Sequence, residues 1–60
     1  MRLKNWLENK GMSVADFAAR IGVTEQAVYA WMRGDRRPGH ANIYVIRGVT
    51  DGDVTANDFY

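Results

Sequence analysis

Apolar residues return every third or fourth position through most of this chain, the period of a helix with one buried face. Leu3, Trp6 and Leu7 keep that spacing and predict a short amphipathic helix from Arg2 to about Lys10, closed by Gly11. Lys4 and Lys10 then stand on its outer side, as solubilising charges or as flanking contacts to a phosphate. The next stripe, Val14, Phe17, Ala18 and Ile21, occupies i, i+3, i+4 and i+7. Ser13 precedes it and Asp16 holds the third internal position, a pattern in which each side chain satisfies an N–H left open at the helix start. Gly22 comes where the chain must leave the helix, and a residue without Cβ turns there at little cost. Val23 points inward and Thr24 caps a third helix, in which Ala27, Val28 and Trp31 face the core. Glu25, Gln26, Tyr29, Ala30 and Arg33 are left to face away, with Glu25 favourably placed at the positive helix end.

After Trp31 the pattern breaks. Met32 to Gly39 holds three arginines in five positions, two glycines and the only proline, and Pro38 keeps Arg37 out of the helical region. Residues 40–50 admit two readings. Ala41, Tyr44 and Val45, or Asn42, Ile43 and Ile46, fall at helical spacing, whereas Ile43, Tyr44, Val45 and Ile46 in succession favour a strand. Asp51-Gly52, between Ile43 to Val49 and Val54 to Phe59, is also a hairpin turn signal. One architecture has a fourth helix ending at Gly48 and a last helical turn through Asn57, Asp58 and Phe59; the other is α+β with a C-terminal β-hairpin.

Sixty residues make one domain, residues 1–60. A chain of this length buries only about 60% of its unfolded surface, so its stability is marginal without help. Cysteine is absent, which removes disulfides and thiolate metal sites, and the lone His40 does not build a metal site. No cofactor is expected. Association between copies is the remaining aid, beside a core rich in Trp, Tyr and Phe. No apolar run is long enough to span a membrane and the start of the chain lacks a signal-peptide core, so a cytoplasmic protein is expected. Net charge is only +1, yet it is unevenly spread. All eight basic residues lie in residues 1–47 against four acids there, while Asp51, Asp53 and Asp58 make the remainder acidic. Such a polarised molecule turns its tail away from a polyanion. Ser13, His40 and the carboxylates show no spacing that assembles a catalytic triad, so no enzymatic role is expected.

Two short capped helices joined by a turn containing glycine match the helix-turn-helix description. Phe17, Ala18, Ile21, Gly22, Val23, Val28 and Trp31 resemble the apolar scaffold of the phage Cro and cI repressors and related small regulators, and Gly34 to Gly39 resembles the loop after their recognition helix. The resemblance covers roughly residues 12–50 and implies an all-α, compact four-to-five-helix domain. The pattern of Arg36, Pro38, Ile46, Val49, Thr50, Gly52, Val54, Thr55, Asp58 and Phe59 looks like that of the all-helical members, in which Thr55 would cap the last turn and Phe59 would fold onto the core. Val14 departs from the family by standing where many members place a polar residue, often Gln, that binds phosphate.

The resemblance also implies a partner, an operator in double-stranded DNA, read in the major groove by the third helix while the second crosses the backbone. Glu25, Gln26, Ala27, Tyr29, Ala30 and Arg33 form the expected base-reading set, and Ser13, Thr24, Arg36 and Arg37 the phosphate set. Ala27 belongs to the reading set as well as to the core stripe. Gln26 is the foremost reader, because its amide pairs bidentately with adenine N6 and N7. A few phosphate contacts bind weakly, so a dimer on two half-sites of a palindrome about 34 Å apart is expected. The predicted dimer surface is the apolar C-terminal part, Ile46, Val49, Val54, Phe59 and Tyr60. Two alternatives stand beside the repressor: the antitoxin of a small toxin pair, and a protein-interaction module that uses Tyr44 and Tyr60.

Overall fold

Ser13 and Thr24 start their helices as the sequence predicts. In a computed structural model of the chain, which describes residues 1–59, the Ser13 Oγ accepts the Asp16 N–H at 3.1 Å and the Thr24 Oγ1 accepts the Ala27 N–H at 3.2 Å. Four α-helices result among the described residues: α1 (Leu3–Lys10), α2 (Val14–Ile21), α3 (Glu25–Arg33) and α4 (His40–Val49). A 3-10 turn over Ala56–Phe59 is the last described element. No strand is present among the described residues, so the hairpin alternative is overturned and the fold is all-α. Helix α4 runs one residue beyond Gly48, and Thr50 takes its C-cap.

The turn between α2 and α3 depends on Gly22, whose φ of 79° lies in the left-handed region that costs an L side chain energy. Its N–H bonds to the Ala18 carbonyl at 2.9 Å, as does that of Val23 at 3.0 Å, so the chain leaves α2 with those carbonyl contacts made. Helix α2 packs on both α3 and α4. Ala18, 2% exposed, supplies the small side chain on the packed face.

Phe17, Val28, Ile46 and Val54 are fully buried at the centre, with Leu3, Trp6 and Leu7 of α1 joined to the same cluster. The Trp6 ring meets Phe17 edge-on with centroids 6.0 Å apart, and Trp31 meets Phe59 similarly at 6.4 Å. Each such pair contributes about 0.5–1.5 kcal/mol beyond the area it buries. Phe59 does fold back onto the core, and the whole spans 24 × 22 × 19 Å.

The C-terminal part corrects two expectations. Ile46 and Val54 have no exposed surface, and Val49 and Phe59 are half-buried against the core, so this set does not form a dimer surface. The period of α4 turns Ile46 inward, and Thr50 holds Val54 in place: its Oγ1 donates to the Ile46 carbonyl at 2.8 Å and accepts the Val54 N–H at 3.1 Å. Tyr60 lies outside the described residues. Thr55 does not cap the last turn with its hydroxyl. Instead the Asp58 carboxylate accepts the Thr55 N–H at 2.9 Å while the Asp58 N–H donates to the Thr55 carbonyl at 3.0 Å. The Met1 ammonium lies 3.2 Å from the same carboxylate, and the Arg2 guanidinium donates to the Asp58 carbonyl at 3.0 Å. The Thr55 hydrogen bond, aided by that ammonium, holds the Asp58 carboxyl below the usual carboxylate range.

Candidate nucleic-acid interface

A helix advances about 100° per residue, so Glu25, Tyr29 and Arg33 share one ridge of α3 and Gln26 lies beside it. All four are exposed. Val28 and Trp31 point the other way into the core. Gln26 and Glu25 sit in the first turn, the part of a recognition helix that reaches deepest into a groove.

Two members of the expected reading set are less accessible than the ridge. Ala30 is 6% exposed, although the helical period alone leaves it outside the core stripe. The loop after α3 returns over the helix: the Asp35 N–H donates to the Ala30 carbonyl at 3.0 Å and the Arg36 N–H to the same atom at 3.4 Å. Ala30 is buried without belonging to the central cluster. Ala27 is half-buried and packs against the core, as its place on the apolar stripe requires.

That return of the loop fixes where the arginines start. Gly34 caps α3 with a φ of 83°, and Pro38 is buried, so the loop is held at both ends. Arg36 and Arg37 are exposed. The Arg36 N–H stands within hydrogen-bond reach of the Ala30 carbonyl, which ties the start of the loop to the last turns of α3. Arg33 pairs through Nε with the Asp35 carboxylate at 2.9 Å. Both side chains are more than 60% exposed, so the pair is weak and leaves the remaining guanidinium donors of Arg33 for other acceptors.

Ser13 and Thr24 mark the starts of α2 and α3, and both are exposed. Each hydroxyl oxygen already accepts a backbone N–H, which leaves its O–H to donate outward. Val14, half-buried against the core, has no such donor. Sequence reasoning gave no part to Arg20, which with Lys10, Met12 and Asp16 lines a shallow depression across α1 and α2. A cation in the last turn of α2 reads as a partner of the helix dipole, which hides any other use. Among the described residues no three of His, Asp and Glu gather as a metal site, and no helix is long and apolar enough to cross a membrane.

A capped α2, a glycine turn and an α3 whose outer ridge is free of the core compose the motif, and the sequence profile of the helix-turn-helix family matches residues 3–51. The chain belongs to the Cro/cI-type helix-turn-helix family. As a member of this family it is a DNA-binding transcription regulator. No curated protein and no solved structure matches the chain.

Proposed function

We propose that this helix-turn-helix protein is a sequence-specific repressor of the phage or prophage Cro kind, a cytoplasmic protein that occupies a palindromic operator as a dimer through the major groove. The observation that carries this reading is the exposed ridge of Glu25, Tyr29 and Arg33 with Gln26 beside it, followed in the chain by the exposed Arg36 and Arg37. Gln26 reads adenine through its amide, Glu25 accepts from cytosine N4 and excludes other bases, and Tyr29 contacts a thymine methyl. Arg33 reaches guanine or phosphate. Arg36 and Arg37 grip phosphate as bidentate donors, joined by the hydroxyls of Ser13 and Thr24.

Size supports two subunits in contact. A body of 24 × 22 × 19 Å set beside its copy brings the two centres to within about one molecular width, and half-sites one DNA turn apart lie about 34 Å from each other. Recognition helices set a few ångströms farther from the shared axis than the subunit centres meet that spacing without a linker. A second reading, an antitoxin or protein-binding module on the same fold, is favoured by Tyr44, which is 79% exposed. Selection of bound duplexes from a random pool at two salt concentrations separates the two. The operator reading expects one inverted repeat to be enriched, with more stringent enrichment at higher salt; a pool with no common sequence overturns it.

A further inference from the structure

Helix α4 buries Ile46 and turns its opposite side to solvent, where Ala41, Tyr44, Val45, Arg47 and Gly48 are exposed. Tyr44, Arg47, Gly48 and Asp51 stand at i, i+3, i+4 and i+7, and with Gly52 they line one groove. Tyr44 is the most exposed large hydrophobic residue among those described. The charges on this stripe are unspent within the chain: the ion pairs among the described residues involve neither Arg47 nor Asp51. Although four residues apart, they stand in the weaker order for a pair along one helix, and Asp51 has left the helix with a φ of 53°. Between them a Cβ on Gly48 would meet nothing within 4 Å, so the stripe carries a notch beside its aromatic ring.

We propose that this stripe docks a second copy of the chain, with the two α4 helices antiparallel about a two-fold axis when two subunits occupy adjacent half-sites; the inference rests on the operator reading. Antiparallel helices bring the same flank of each together, so Arg47 of one protomer faces Asp51 of its partner, and the symmetry makes that contact twice. A partner of one charge sign would repel one member of the pair. A surface that carries both signs one turn apart is complementary to itself. With Arg47 opposite Asp51 the axis passes near Val49, so the open space at Gly48 of each copy lets the two helices approach, and Tyr44 flanks the contact at either end. A ten-residue helix is about 15 Å long, which limits the contact to the low end of specific interfaces. The free chain is therefore monomeric when dilute, and the duplex supplies the effective concentration that brings two copies together.

The test compares the full chain with Arg47→Asp, Asp51→Arg and the double exchange on two duplexes, one with a single copy of the selected half-site and one with two inverted copies. Each single exchange is expected to leave single-copy affinity within about twofold, as exposed substitutions do, and to lower cooperativity on the paired site several-fold. The double exchange restores it. Unchanged cooperativity, or a double exchange that fails to restore it, overturns the proposal. An equal loss on both duplexes also overturns it, since Arg47 then grips phosphate. A dilution series of amide NMR spectra of the free chain needs no operator: shifts centred on Tyr44, Arg47, Gly48 and Asp51 support docking there, and shifts elsewhere or none oppose it. Should the selection enrich no sequence, the operator reading falls while this series still decides the contact.

Discussion

Gln26 stands in the first turn of α3, exposed, with its backbone in a helix started by Thr24 and anchored by Val28 and Trp31. A Gln amide that pairs with a base edge does so at one base pair, so its removal is felt there. Gln26→Ala is expected to cost about 1–3 kcal/mol at that pair and to relax preference there. A competition assay over single-base operator variants measures this; equal loss on every duplex would show that the side chain reads nothing. Arg36 acts differently. Arg36→Ala is expected to weaken binding on all duplexes alike and to flatten the salt slope by about one unit, read from binding isotherms across a salt series. The exposed ridge was legible at this scale because period and caps are local. The burial of Ala30 was not, since the period of α3 leaves it outside the apolar stripe and only the packed fold covers it.

At the scale of elements, the second half of the chain shows what a local pattern leaves open. Ile43, Tyr44, Val45 and Ile46 carry branched or aromatic side chains that suit a strand as well as a buried helix face. The decision comes from contacts distant in sequence: Ile46 completes a cluster with Phe17 and Val28, and α4 packs on α2. Thr50 then determines how α4 ends. Buried to 1% exposure, its hydroxyl joins the last turn of α4 to Val54, the residue that seals the core from the C-terminal side. Thr50→Val keeps the shape and leaves the buried Val54 N–H without a partner, at an expected cost of about 1–3 kcal/mol. Thermal unfolding detects this readily, since about 1 kcal/mol moves the midpoint of so small a domain by roughly 4–8 °C. An unchanged midpoint would mean that water replaces the hydroxyl. No sequence pattern singles out this threonine, because its partners are carbonyl and N–H groups whose positions only the fold supplies.

Across the whole molecule, Met1 and Arg2 meet the last described turn at Asp58. Its carboxylate accepts the Thr55 N–H and faces the Met1 ammonium, and the Arg2 guanidinium bonds its carbonyl, so the first turn of α1 is fastened to the 3-10 turn. Phe59, next in the chain, rests on Trp31 of the recognition helix, and this fastening therefore supports the back of α3. The folded-state pKa of Asp58 lies below its ordinary value, chiefly through the Thr55 hydrogen bond. A carboxyl whose pKa is depressed by folding stabilises the fold fully above its unfolded pKa of about 3.9. That contribution is lost as pH falls through the folded value, because protonation removes the charge that the N–H and the ammonium hold. Asp58→Asn is expected to destabilise the chain at neutral pH by on the order of 1 kcal/mol, the worth of a capping side chain. The difference between the wild-type and variant melting curves should then shrink in acid, where both present a neutral group. Parallel curves from neutral pH to the acid limit would show that the carboxylate charge adds nothing to the closure, and that Asp58 serves by its shape and backbone alone.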